Sequence, residues 1–340
     1  MAITALRILH AERLASGQQL ARVQAGTCHT TAGADLEALH KQLKRVFNAK
    51  PGKRYGRFSD DVGATPLRGW LQDYLAQRQP FERFSDHLCG HWKELLDARE
   101  LDYSGHLMLV HEALADGEVL YLFGLETEAM PHLDPDLGLD LVEVLLPSRL
   151  ELGLRIELSV LQDNAADNYL TLTVARGSAE LGDAFKALSG FSDSVDVDQE
   201  TRTFMDAVEA YARHSEPEKA GQVRSRAYDY CKDQSAQGVP VAIEALAACL
   251  DTEHPARFVD FVRNSHDLQP ETVLHPDPRK VRKLVRISAK GNGISLSFSS
   301  DLFNQAVHYD RQQDALIITR LPRALKEQLE QYLASAEGEA

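Results

Sequence analysis

The sequence predicts an α+β protein in two parts. An N-terminal part over 1–176 holds antiparallel hairpins and helices, and a C-terminal part over 177–340 holds a helical bundle followed by a small antiparallel sheet and a closing helix. Three observations predict it. Short apolar alternations flank turn signals in the first half, as half-buried strands do. From Ala179 to about Asn264 apolar residues recur instead at helical spacing, and strand signals resume only after Pro278. The change of character at Arg176 to Ser178 marks the boundary.

Taken in order, Ile3 to Leu9 and Leu20 to Ala25 flank Ser16-Gly17 and read as an opening hairpin. Leu36, Leu39, Leu43, Val46 and Phe47 make the apolar stripe of a helix, with Lys41, Lys44 and Arg45 off it. Ala49 to Ser59 carries Pro51, Gly52 and Gly56 and reads as a loop. Thr65-Pro66 starts a helix bearing Leu67, Trp70, Leu71 and Tyr74. Pro80 separates it from another bearing Phe84, Leu88, Trp92 and Leu96, so both tryptophans are expected in the core.

His106 to Leu114 and Val119 to Leu125 flank Asp116-Gly117, a second hairpin signal, whereas the acidic stretch Glu126 to Asp136 reads as a loop. Leu150 to Leu158 alternates, and Tyr169 to Val174 is a further strand. In the helical part Val223, Ala227, Tyr230 and Cys231 share a face, which predicts a buried thiol at Cys231. Leu284 to Ser288 and Ile294 to Phe298 alternate around Lys290-Gly291-Asn292-Gly293, whose Asn-Gly pair supplies the positive φ angles of a primed turn. Ala315 to Thr319 is expected to add a third strand, and Leu325, Leu329 and Leu333 step along the closing helix.

Composition excludes several classes of function. With 340 residues, 44% hydrophobic and 26% charged, the chain is an ordinary globular protein of two domains. A net charge of -14 excludes uniform coating of DNA, so any polyanion must meet a local patch. Cys28, Cys89, Cys231 and Cys249 lack the paired spacing of a zinc site or a disulfide framework. The first residues show no signal-peptide pattern and no apolar run reaches membrane-spanning length, so a cytoplasmic location is expected. His87 and His91 stand at i and i+4, but a third ligand is missing and the HExxH pattern is absent; no metal or cofactor is expected. Asp60-Asp61 reads as a turn cap rather than a magnesium site, and no nucleophile–base constellation suggests an enzyme.

Two basic islands stand out against the acidic background. Between Arg279 and Ser300 the chain has Arg279, Lys280, Arg282, Lys283, Arg286 and Lys290 and no Asp or Glu. Between Lys41 and Arg57 it has Lys41, Lys44, Arg45, Lys50, Lys53, Arg54 and Arg57, with Tyr55 among them and again no acid. Basic segments with an interleaved aromatic grip phosphates and stack on bases. The plain alternatives are a charged strand edge that blocks unwanted pairing and a loop kept soluble by its charges.

Four stretches carry a resemblance: Ala49-Lys50 with Tyr55-Gly56 and Phe58-Ser59; Tyr169-Leu170-Thr171 through Arg176-Gly177 to Phe185 and Phe191; Tyr228 to Gln234; and Arg279 through Gly291 and Gly293 to Asp301, Tyr309-Asp310, Leu316-Ile317-Ile318 and Pro322. Together they resemble the NdpA/YejK family of bacterial nucleoid-associated proteins. The resemblance implies a cytoplasmic, nucleoid-located protein without established catalysis, connected with type II topoisomerases. One departure concerns Arg176-Gly177-Ser178-Ala179-Glu180, less basic than the family pattern, which weakens any phosphate contact at that helix start.

The reading that follows is a non-enzymatic protein that binds DNA weakly and without strong sequence preference through both islands. Type II topoisomerase subunits and a second copy of the chain are the protein partners considered, and no membrane is. The alternative is an acidic adaptor that docks chromosome enzymes without touching DNA.

Overall fold

The computed structural model describes residues 2–14, 20–61, 63, 65–163, 168–174 and 179–337, the side chains of 217, 218 and 334–337 aside. It divides into two units, Met1–Glu200 with Ser235–Val239, and Thr201–Gln234 with Pro240–Ala340. The boundary expected at 176–178, and the departure from the family pattern there, lie outside the described residues.

In the first unit the elements run β1 (Ala2–Arg13), β2 (Arg22–Ala25), α1 (Ala34–Ala49), β3 (Arg54–Phe58), α2 (Pro66–Leu75), α3 (Phe81–Ala98), β4 (Tyr103–Ala113), β5 (Glu118–Leu125), β6 (Thr127–Leu133), β7 (Leu139–Leu145), β8 (Leu152–Glu157), α4 (Leu158–Asp163), β9 (Leu170–Val174), α5 (Ala179–Ser189) and β10 (Phe191–Asp193). Eight strands form one antiparallel sheet in the order β10-β3-β9-β8-β5-β4-β1-β2. Alternation of side chains sends the two faces of its central strands into two cores. Leu107, Leu109, Leu120 and Leu122 join Leu71, Leu88, Trp92 and Phe185 from α2, α3 and α5 on one face. Met108, Val110, Tyr121 and Phe123 join Leu43 and Phe47 from α1 on the other. The sheet is thus covered on both faces, which explains why β5 is buried from Val119 to Leu125.

Two expectations are corrected here. The run Ala49 to Ser59 is not wholly loop, because Arg54–Phe58 is a strand between β9 and β10. Gly56 is a packing glycine in that strand: a Cβ there would collide with the Ser192 carbonyl. The acidic stretch after Glu126 is not a loop either, since β6 pairs with β7 as a separate two-stranded arm.

The second unit carries α6 (Val197–His214, from Thr201 onward), α7 (Pro217–Gln237, to Gln234), β11 (Val241–Ala242), α8 (Ile243–Leu250), α9 (Pro255–His266), β12 (Val273–Leu274), α10 (Pro278–Val281), β13 (Arg286–Gly291), β14 (Ile294–Ser299), β15 (Val307–Asp310), β16 (Ala315–Ile318) and α11 (Arg323–Glu337). Phe204, Val208, Ala227, Cys231, Leu246, Phe258 and Val262 form its helical core. Strands do not wait for Pro278, because the short β10, β11 and β12 precede it. Nor does Ala315 to Thr319 extend the Asn-Gly hairpin. It pairs with β15, across a turn in which the Asp310 carboxylate accepts from the Gln312 and Gln313 amides, so a nearer partner wins. Among the described residues no helix is long and apolar enough to cross a membrane.

Candidate nucleic-acid interface

The second basic island begins on a capped turn. Asp277 accepts a hydrogen bond from the Arg279 amide at 2.9 Å, and Pro278 fixes the first helical position of α10. Val281 and Leu284, 0% and 2% exposed, are driven into the helical core and anchor the segment. Leu284 lies in a 3-10 turn, Arg282–Leu284, so the strand expected from Leu284 starts only at Arg286. With the apolar positions inside, Arg279, Lys280, Arg282 and Lys283 are exposed.

The hairpin continues this basic surface. Asn292 and Gly293 both have positive φ, 50° and 77°, as the primed turn requires. Register places Arg286 opposite Ser299, Ser288 opposite Ser297 and Lys290 opposite Ser295, while Ile287, Ala289 and Gly291 face Phe298, Leu296 and Ile294. Directly opposed residues share a face, so one face is Arg, Lys and Ser throughout and the other is apolar. Arg286 Nε donates to Ser297 Oγ at 2.5 Å, which holds the guanidinium across the sheet. Arg279, Arg282, Lys283, Arg286, Ser288 and Ser297 then line one concavity of 280 Å³. None of Arg279, Arg282, Lys283, Arg286 and Lys290 forms an ion pair with a described residue. Guanidinium and ammonium groups without a carboxylate partner, beside serine hydroxyls, suit phosphate oxygens.

The first island is built differently. Lys44 Nζ donates to both Glu112 oxygens at 3.0 and 2.7 Å, with His40 Nε2 3.3 Å from the same carboxylate, and Glu112 is 0% exposed. Burial raises the Glu112 carboxyl, but hydrogen bonds from His40 and Lys44 outweigh it and hold the group below its ordinary value. Lys53 is buried and donates to the carbonyls of Asn48 at 2.7 Å and Ser235 at 3.3 Å. Arg54 grips Asp193 side-on, Nε and Nη2 donating to its two carboxylate oxygens, and Arg57 reaches Asp60 at 3.0 Å. The Asp193 carboxyl is raised by burial and more than offset by the Arg54 hydrogen bond and the charges of Arg54 and Lys186, so it too lies low. Lys41 and Arg45 are exposed on α1, and Lys50 is half-buried. Lys44, Lys53, Arg54 and Arg57 are therefore engaged in contacts within the first unit.

Other sequence candidates fall to packing as well. Asp61 accepts from the Gly63 amide at 3.0 Å and shapes the turn before α2. The His87 and His91 rings lie against Trp70, at 5.3 and 5.8 Å, and Cys89 is buried. Among the described residues no three His, Cys, Asp or Glu side chains gather as a metal site would need. What sequence reasoning missed is the serine face: Ser288, Ser295, Ser297 and Ser299 follow the strand period and were readable once the turn was fixed.

Comparison with known proteins finds matches along nearly the whole chain. The family profile described as nucleoid-associated protein YejK matches residues 8–326. A nucleoid-associated protein of Azotobacter vinelandii is 31% identical over 304 residues, covering 86% of this chain and 88% of its own. One of Pseudomonas savastanoi pv. phaseolicola is 31% identical over 306 residues, covering 87% and 90%. One of Metapseudomonas resinovorans is 29% identical over 308 residues, covering 88% and 90%.

Proposed function

The chain belongs to the YejK family of nucleoid-associated proteins, and on that premise we propose that it binds duplex DNA weakly, without catalysis and without strong sequence preference, on the cytoplasmic nucleoid. One observation carries the reading: Arg279, Arg282, Lys283 and Arg286 rim one concavity, unpaired with any described carboxylate, in a chain of net charge -14. Such groups contact phosphates, which fix position and carry no sequence information. The reading gives Lys280 and Lys290 a supporting place beside them, and leaves Lys41, Arg45 and Lys50 as the residues of the first island that could add to it.

The test is salt dependence. Four to five phosphate contacts correspond to a slope of about -4 in log affinity against log salt. The triple variant Arg282→Gln, Lys283→Gln, Arg286→Gln is expected to reduce that slope by about 3 and to weaken all sequences alike. A folded triple variant with undiminished affinity would remove the concavity from the interface.

A second reading, an adaptor for chromosome enzymes such as type II topoisomerases, is favoured by the β6–β7 arm. Opposed pairs on one of its faces include Pro131 with Leu141 and Leu133 with Leu139, and the three leucines are 61–73% exposed. From Glu126 to Ser148 the chain has six acidic residues and no Lys or Arg. An apolar face with acidic surroundings suits a basic protein surface. Loss of topoisomerase binding on Leu139→Ser with Leu141→Ser, with DNA affinity retained, would support this reading; unchanged binding would remove the arm from it.

A further inference from the structure

Past the end of the core under α1, the central sheet carries two histidines side by side. Met108 and Val110 of β4 pack with Leu43 and Phe47 of α1, and His106, on the same side of the strand two residues earlier, falls beyond that cover. Antiparallel register sets His10 of β1 directly opposite it. The two ring centres are 4.7 Å apart with their planes inclined at 37°, and both residues are half-buried. They line a cavity of 560 Å³ together with Gln24 and Ser104, and with Thr127 and Glu143 from the root of the β6–β7 arm. His10 Nδ1 lies 3.2 Å from the Gly105 carbonyl oxygen. A carbonyl can only accept, so Nδ1 carries the proton and, in the neutral ring, Nε2 keeps its lone pair. His106 Nδ1 is buried and has no hydrogen-bond partner among the described residues. A buried nitrogen left in that state asks for an explanation.

We propose that the His10–His106 pair binds a divalent transition-metal ion of the zinc class, through one imidazole nitrogen from each strand. Distance fits. With each nitrogen about 2.0–2.1 Å from the ion, the ring centre roughly 1.2 Å further out and an angle of about 90–110° at the metal, two rings on one ion have centres on the order of 4.5–5.2 Å apart. The observed 4.7 Å lies within that interval. The surroundings fit as well. A ligating histidine donates its other ring N–H to a carbonyl or carboxylate, which fixes its tautomer, and the Gly105 carbonyl holds His10 in this way. Imidazole nitrogens select zinc, nickel or copper over magnesium and calcium, and the Glu143 carboxylate in the same cavity offsets the ion's charge. Among the described residues no third His, Cys, Asp or Glu gathers with the pair. The ion therefore keeps water in its other positions, unlike a structural zinc with four protein ligands. His87 and His91, the pair that sequence spacing suggests, lie instead against Trp70.

The proposal does not depend on DNA binding, and its test contains no DNA. Calorimetric titration of the full chain with zinc chloride is expected to show a stoichiometric site, and titration with magnesium chloride none there. His10→Gln and His106→Gln, made separately, are each expected to lower zinc affinity by at least about tenfold, the smallest effect of removing even an outer partner of a ligating histidine. The double variant His87→Gln with His91→Gln is expected to keep the site. In case a variant at position 10 or 106 unfolds, the natural chain gives a second measurement: on adding zinc, the ring-proton resonances of His10 and His106 should shift together while those of His87 and His91 stay in place. A natural chain that takes up no zinc would overturn the proposal. So would zinc binding that survives both folded single variants, or that is lost only with His87 and His91.

Discussion

The two basic islands have the same composition and opposite fates. Each is a stretch free of acids, yet Lys44 meets Glu112, 68 positions away, and Arg54 meets Asp193, 139 positions away. In the second island Arg279, Arg282, Lys283, Arg286 and Lys290 have no such partner among the described residues. An acid-free window in sequence is therefore not an acid-free neighbourhood in space. The first island lies on and beside the central sheet, where remote strands bring carboxylates to it. The second sits on a single turn and a two-stranded hairpin, which have few neighbours to do so.

The largest expected effect follows from the Glu112 site. Lys44→Met should leave a carboxylate of 0% exposure with His40 as its remaining partner. Breaking a buried pair from one side costs about 3–5 kcal/mol, to be read as a lowered urea midpoint. The deficit has a pH signature. Glu112 titrates below its ordinary value in the folded chain, so its contribution is fully present above the unfolded carboxylate range, about pH 4.3. That contribution is lost as pH falls through the lower folded value. The gap between the variant and the natural chain should accordingly narrow on acidification from pH 7 to 3. A gap that stays constant, or widens, would mean that the ion pair is not its source.

Much of the fold was legible because its signals are local. Asn292-Gly293 announced its hairpin through the φ angles that a tight turn demands, Asp116-Gly117 marked the turn between β4 and β5, and α1, α2 and α3 showed in apolar spacing. The β3 strand was hidden because Gly56 is required by the Ser192 carbonyl, a neighbour 136 positions later that no local pattern reveals. Pro131 and the acids of β6 and β7 diluted the strand signal of the arm. Basic side chains were legible as candidates, but which were already engaged was a question of tertiary contact that only the structure answers.

A middle-sized effect concerns the support under the second island. Cys231 shares a core with Val281 and Leu284, is 1% exposed, and its Sγ lies 3.8 Å from the Pro276 carbonyl oxygen. Burial, with the Asp277 charge adding to it, pushes the thiol up to about 12. Cys231→Ser is expected to cost about 1–3 kcal/mol by burying a more polar group. Affinity for DNA should be retained in the folded fraction, because the thiol does not line the concavity. In the natural chain, alkylation of Cys231 should trail that of the half-buried Cys28 and Cys249 and speed up only as the protein unfolds. Rapid labelling of Cys231 under native conditions would place it outside the core.

The smallest expected effect gives the sharpest test of the contrast between the islands. Arg54 and Asp193 have side chains 46% and 39% exposed, and Arg57 and Asp60 are 42% and 78% exposed. Exposed ion pairs contribute about 0.2–1 kcal/mol each, so Arg54→Gln with Arg57→Gln should lower stability only slightly. Both arginines are engaged with aspartates, and each new phosphate contact would have to replace an existing one. The double variant should therefore keep nearly the DNA affinity and salt slope of the natural chain. The triple Gln variant of Arg282, Lys283 and Arg286 should lose both. Equal losses from the two sets would show that Asp193 and Asp60 release their arginines to phosphate, and the division of labour between the islands would fall. A loss confined to the second set would leave the first island with the role its contacts describe, closing the edge of the central sheet.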